Sequence, residues 1–299
     1  MNFTIATTLD EALIAVAAGA RPVAGGSDLV VGARQGKSPL PESVVAIDRI
    51  DSLANIDAAP DGTSIGALVT HARLESDESI VAHYTALADA SALVGSPSTR
   101  NVGTIGGNVM NASPAMDTGA PLVVLGAEVE LQSTSGSRRV AIADLWTAPG
   151  RTSASPGELC VAVHLPARPD TSGSAYVRLE YRRAMEIAVV GAAASVALDQ
   201  SGSLVSISVA LTAVAPTIIA VNGIDTLLGR PVDDTLLADI AALASAQAVP
   251  ISDLRASDRY RRHCIGVMAR RAVDAAARRA RGESIAVPVN RSLGIGAAT

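Results

Sequence analysis

Apolar and polar positions change period along this chain, and the changes outline its elements. Phe3 to Ile5 reads as a short strand, followed by a helix in which Leu9, Ala12, Leu13 and Val16 share one face. Thr8 and Glu11 carry the signature of a capping box at the start of that helix, and Gly19 ends it. Pro22-Val23-Ala24 is a second strand running into Gly25-Gly26, Val44 to Ile47 is a third, and the turn Pro60-Asp61-Gly62 opens a new region.

The pattern is then mixed to about residue 168. Helical signals between Leu74 and Leu93 precede a Gly- and Asn-rich stretch from Gly95 to Asn111. Alternating strands at Glu128 to Gln132 and Arg138 to Ile142 flank Ser135-Gly136, and Leu159 to Leu165 is closed by Pro166. Ala167 to Ser174 reads as a linker. Beyond it come strands at Ala175 to Tyr181, Ala188 to Leu198 and Leu204 to Val214, then helices at Asp233 to Gln247 and Ser257 to Arg281. The expected division is 1–55, 56–168, 169–285 and a tail, 286–299, with no internal repeat.

Composition narrows what such a chain can do. Of 299 residues 48% are hydrophobic, yet there are only one Trp, four Tyr and one Phe, so the core is aliphatic. A net charge of −5 and few stacking rings argue against nucleic-acid binding. The longest apolar runs, such as Ile187 to Leu198, fall short of the roughly 20 residues a spanning helix needs, and no secretory signal opens the chain, so a cytoplasmic protein without membrane insertion is expected. Cys160 and Cys264 are too few for an iron–sulfur or zinc site, which places any redox metal in another chain. His71, His83, His164 and His263 lack ligand-like spacing and read as surface or satisfied polar residues.

Two loops carry candidate chemistry. Gly25-Gly26-Ser27-Asp28 follows a strand, and its paired glycines let successive amides point at one anion; an ordinary tight turn explains them as well. Thr104-Ile105-Gly106-Gly107-Asn108 runs on to Asn111, Ser113 and Asp117, donors and acceptors suited to a polyol; a polar loop capping a helix near Asp117 is the competing reading. There is no dinucleotide Gly-x-Gly-x-x-Gly turn, P-loop or nucleophile elbow, and no acid–base pair stands out. Arginines from Arg259 to Arg281 interleave with Cys264, Ile265, Met268, Ala272, Val273 and Ala276, as on the solvated or subunit-facing side of an amphipathic helix.

In order, Ala24-Gly25-Gly26-Ser27-Asp28-Leu29, Arg100-Asn101-Val102-Gly103-Thr104-Ile105-Gly106-Gly107-Asn108, Asn111-Ala112-Ser113-Pro114-Ala115-Met116-Asp117, Gly157-Glu158-Leu159 and Arg182-Arg183-Ala184-Met185-Glu186-Ile187-Ala188 resemble the FAD-binding medium subunit of the molybdenum hydroxylases, the xanthine dehydrogenase and carbon monoxide dehydrogenase family. The resemblance covers the chain to about residue 285. It implies an α+β protein: a PCMH-type FAD-binding fold of two α/β subdomains, plus a C-terminal α/β domain with an antiparallel sheet that closes the site. It also implies FAD as cofactor, with amides around Val23, Ala24, Gly25, Gly26, Ser27 and Asp28 on the pyrophosphate. Thr104, Gly107, Asn108, Asn111 and Ser113 would lie along the cofactor and Asp117 on the ribityl hydroxyls. Leu159 and Cys160 would stand beside the flavin or adenine end, and Ile187 on the isoalloxazine face.

Two positions depart from the family's pattern. Glu186 stands where Asp is usual and Arg178 where Lys is common, which keeps charge but not reach and leaves their contact to the flavin edge open. The implied role is an electron-transfer, multi-subunit oxidoreductase component: a large molybdenum-cofactor subunit and a small [2Fe–2S] subunit are the expected partners, in a dimer of heterotrimers. A self-contained flavoprotein oxidase or reductase of the same fold, and a scaffold without flavin, are the alternatives.

Overall fold

A computed structural model of the chain describes residues 2–36 and 39–295, in which three regions each build a sheet. In the first, β1 (Asn2–Ile5), β2 (Arg21–Val23) and β3 (Ser43–Ala46) pair in parallel in the order β1-β3-β2. Parallel strands need a crossover, and the helix Leu9–Ala17 supplies the one between β1 and β2. Its start is the capping box legible in the sequence: Glu11 N donates to Thr8 Oγ1, and Thr8 N donates back to Glu11 Oε2.

The second region is an antiparallel sheet backed by short helices. β4 (Ile56–Ala59) and β5 (Gly62–Gly66) form one hairpin, β6 (Glu128–Ser133) and β7 (Gly136–Ala141) another, and β8 (Trp146–Ala148) and β9 (Arg151–Thr152) a small separate one. β10 (Leu159–Pro166) enters the middle, giving the order β4-β5-β10-β6-β7. A bulge between Cys160 and Ala162 resets the side-chain alternation. Leu159 and Val161 therefore pack into the core of the first region, with Leu13, Ile47 and Leu53, whereas Cys160, Val163 and Leu165 pack into that of the second.

In the third region β11 (Ser172–Leu179), β12 (Val190–Leu198), β13 (Leu204–Thr212) and β14 (Ile219–Ala220) follow one another in an antiparallel sheet. The long helix Asp258–Ala280 packs on one face with Ala175, Val177 and Ala194; Tyr176, Ala193 and Ala210 on the other join the core of the second region. Every residue of β12 is buried, which is why the sequence there reads as an apolar run interrupted only by Ser195 instead of alternating.

Three expectations change. The linker ends earlier, because β11 takes in Ser172 to Ser174; a Cβ on Gly173 would lie 2.2 Å from Ala276 O, so the strand can approach the long helix only as glycine. Residues 286–295 of the expected tail are folded in, with Val289 and Asn290 buried and Asn290 Nδ2 donating to Arg178 O at 2.9 Å. The helix arginines are not all solvated. Arg261 is buried and pairs with Asp253, and Arg279 holds the fully buried Asp89 at 2.6 Å. Asp89 also accepts the amides of Tyr176 and Val289, so one carboxylate ties the second region to the strand, helix and final segment of the third. No helix among the described residues is long and apolar enough to cross a membrane.

Candidate cofactor site

The Gly25-Gly26 pair does not make an isolated turn. Gly26 adopts φ +67° as the N-cap of a helix, Ser27–Arg34, whose first turn holds Ser27 and Asp28 and whose N-terminus no side chain caps. The first amides of a helix have no partner within it, so Gly26 aims them outward at the positive end of the helix dipole. Gly25 is pressed against the second glycine-rich segment: a Cβ there would fall 1.7 Å from Val102 O and 3.2 Å from Gly103 N. Only glycine permits that approach. Val23, at the end of β2, and Ala24 lead into the junction and are half-buried.

The stretch expected as a Gly- and Asn-rich loop contains two helices, Pro97–Arg100 and Ile105–Asn111. Thr104 caps the second, its Oγ1 accepting from Gly107 N at 3.1 Å, and Gly106 packs so tightly that a Cβ would lie 2.6 Å from that of Ala67. Gly107 is exposed and Asn108, Asn111 and Ser113 are half-buried. Asn108 Oδ1 accepts from Thr118 Oγ1 at 2.6 Å, and Ser113 Oγ accepts from Ala115 N. Beneath this segment lies His71, which is neither exposed nor satisfied. Its ring abuts Gly103, its Nδ1 has no hydrogen-bond partner, and burial, then the charge of Arg100, lower its pKa to about 4.

Asp117 is buried at the end of the same stretch, and the third region holds it. Oδ1 accepts from the Tyr176 hydroxyl at 2.8 Å and Oδ2 from Arg178 Nη1 at 2.7 Å. Arg178 is 0% exposed and also binds Glu180 at 2.7 Å, so it acts on the site through Asp117. Burial, then Asp117, push the Tyr176 hydroxyl well above its ordinary range, which keeps it a donor at neutral pH. The loop leading to Asp117 is fixed from the same side: Thr212 Oγ1 donates to the carbonyls of Pro114 and Met116, and Ala213 N to that of Pro114.

Leu159 and Cys160 are buried at the start of β10, and burial, then the charge of Glu130, push the Cys160 thiol up to about 12. It stays protonated and apolar, with no nucleophilic or ligand character. Glu186 faces Arg182 at 3.5 Å and accepts from Ile187 N, while Ile187 is 47% exposed on a loop tied to the second region by Met185 N donating to Gly95 O. Among the described residues no group of three His, Cys, Asp or Glu side chains is placed to hold a metal.

The structure thus joins the two glycine segments to each other and Asp117 to Arg178. Tyr176, Glu180, Thr212 and His71 were not singled out as site residues; the one sequence signal for the first was parity, since Tyr176 and Arg178 share one face of a strand. A cradle of outward amides at a helix start, followed by half-buried Asn, Ser and Asp, fits a dinucleotide with an anionic centre and a polyol arm.

Comparison with known proteins gives the same answer over most of the chain. Residues 1–168 match the FAD binding domain in molybdopterin dehydrogenase, and residues 175–276 the CO dehydrogenase flavoprotein C-terminal domain. The carbon monoxide dehydrogenase medium chain of Afipia carboxidovorans is 36% identical over 88% of this chain and 90% of its own length. The putative xanthine dehydrogenase FAD-binding subunit of Escherichia coli is 31% identical over 93% and 96%. A crystal structure of a Cu,Mo-CO dehydrogenase in cyanide-inactivated form superposes with TM-score 0.89 at 32% identity, covering 93% of this chain and 98% of the other. The chain therefore belongs to the FAD-binding medium subunits of the molybdenum hydroxylases, components of multi-subunit oxidoreductases.

Proposed function

We propose that this chain relays electrons within a heterotrimeric molybdenum hydroxylase, from the [2Fe–2S] clusters of a small partner subunit to an external acceptor, while a large partner subunit oxidises the organic substrate at its molybdenum cofactor. The observation that carries the reading is the seam between the glycine segments, where Gly25 meets Val102 and the uncapped helix start faces outward. Bound FAD supplies what such a relay needs, exchange of single electrons with clusters and of pairs with acceptors.

The chain's own task is to bind and orient. Amides from Val23 to Asp28 take the pyrophosphate, and Thr104 holds Gly107 and Asn108 along the cofactor. Asn111, Ser113 and Asp117 take the ribityl hydroxyls. Leu159 and Cys160 line the flavin or adenine end as apolar wall, and Ile187 packs on the ring. Arg178 neutralises Asp117, and Glu186 orders the Ile187 loop through Arg182. The expected assembly is a cytoplasmic dimer of heterotrimers.

The test is flavin retention. Gly107→Val, which blocks backbone approach, and Asp117→Ala, which leaves hydroxyls unpaired, should each lower FAD occupancy of the purified chain by about tenfold or more. Unchanged occupancy in both would place the cofactor elsewhere, and native mass spectrometry lacking two larger and smaller partners would refute the assembly.

A further inference from the structure

The third region reaches the cofactor site through one face of one strand. Along β11, Ala175 and Val177 pack on the long helix, while Tyr176 and Arg178 face the second region, and Glu180, just past the strand end, pairs with Arg178. Tyr176 has no exposed surface, and its hydroxyl donates to Asp117 Oδ1 at 2.8 Å. The neighbouring strand is cleared for it. Gly191, opposite Arg178 in the register, has no Cβ; one would stand 2.4 Å from the Tyr176 oxygen and 2.6 Å from Thr212 Cγ2. Burying a phenol oxygen costs free energy unless it is bonded, and phenylalanine would fill the same aliphatic space without that cost. The hydroxyl therefore has work that packing does not explain.

We infer that Tyr176 is a positioning residue of the flavin site: its hydroxyl and Arg178, each on a different oxygen, lock the Asp117 carboxylate in one orientation and leave its remaining lone pairs fixed for the cofactor's polyol. A carboxylate has about four lone-pair sites, of which these two donors use one on each oxygen. Arg178 alone would leave the carboxylate free to swing about a single contact. With two donors on two oxygens it cannot turn without breaking one. The third region thus sets the geometry of a ligand that belongs to the second.

This inference rests on Asp117 contacting the polyol, and the experiment separates the two. Deflavinated full-length chain is titrated with FAD in four forms: wild type, Tyr176→Phe, Asp117→Ala and the double variant. Tyr176→Phe should raise the FAD Kd about fivefold to tenfold and should add nothing in the Asp117→Ala background. Gly191→Ala, which crowds the same hydroxyl without removing it, should weaken binding with the same dependence on Asp117 and serves if Tyr176→Phe does not fold. If Asp117→Ala weakens FAD but Tyr176→Phe and Gly191→Ala do not, or their effects add to it, Tyr176 has no positioning role. If Asp117→Ala binds FAD as wild type does, the reading of Asp117 itself falls, and the inference with it.

Discussion

The two ends of the candidate site are built from different materials. At the glycine end the working groups are backbone amides, the helix that presents them, Ser27–Arg34, has no buried residue, and shape is set by the absence of side chains at Gly25 and Gly107. At the Asp117 end the carboxylate is itself a buried side chain, held by two more, Tyr176 and Arg178, from one strand, 59 and 61 residues further along. A backbone cradle is local and tolerates surface change, provided no Cβ intrudes. A side-chain cradle is only as good as the docking of the regions that contribute to it.

Breaking that docking should have the largest effect. Asp89→Ala leaves Arg279 buried without its partner and frees the amides of Tyr176 and Val289, so we expect a loss of about 3–5 kcal/mol in urea unfolding. A loss under about 1 kcal/mol would mean that the regions are held by apolar packing alone. Next comes the support beneath the glycine end. Between the folded value of about 4 and an unfolded value near 6.5 the unfolded chain binds more protons at His71 than the folded one. Stability should therefore fall by about 3 kcal/mol as pH drops through that window, and His71→Gln should flatten the slope in melts between pH 4 and 7. An identical slope in the variant would assign the pH dependence to other groups. A smaller effect on stability, read chiefly in binding, belongs to Gly25→Ala: the seam against Val102 opens, FAD binds about tenfold or more weakly, and the Asp117 network keeps its geometry. Equal damage to both ends, judged by Tyr176 ring signals in nuclear magnetic resonance, would erase the distinction drawn between them.

What was legible in the sequence follows the same division. The Thr8–Glu11 box, the hairpin around Ser135-Gly136 and the long C-terminal helix are fixed by residues within a few positions of each other. So is the Gly25-Gly26 turn, which the order of the motifs marked as a candidate that its own residues left open, although the helix it starts was hidden behind a short apolar run. Arg279 looked like one more solvated arginine because its partner lies 190 residues away. His71 gave no sign of burial for the same reason, since Gly103 covers it from another segment. Pairing at that range is decided by packing, and no local pattern encodes it.

The strand Val190–Leu198, buried on both faces, also limits how the protein can be taken apart. Expressed alone, residues 169–295 would present Tyr176, Ala193 and Ala210 to water, and residues 1–168 would carry Asp117 with neither of its donors. The two segments that match separate family descriptions therefore lean on one another, and recombination between relatives should succeed only where both sides of that sheet are exchanged together.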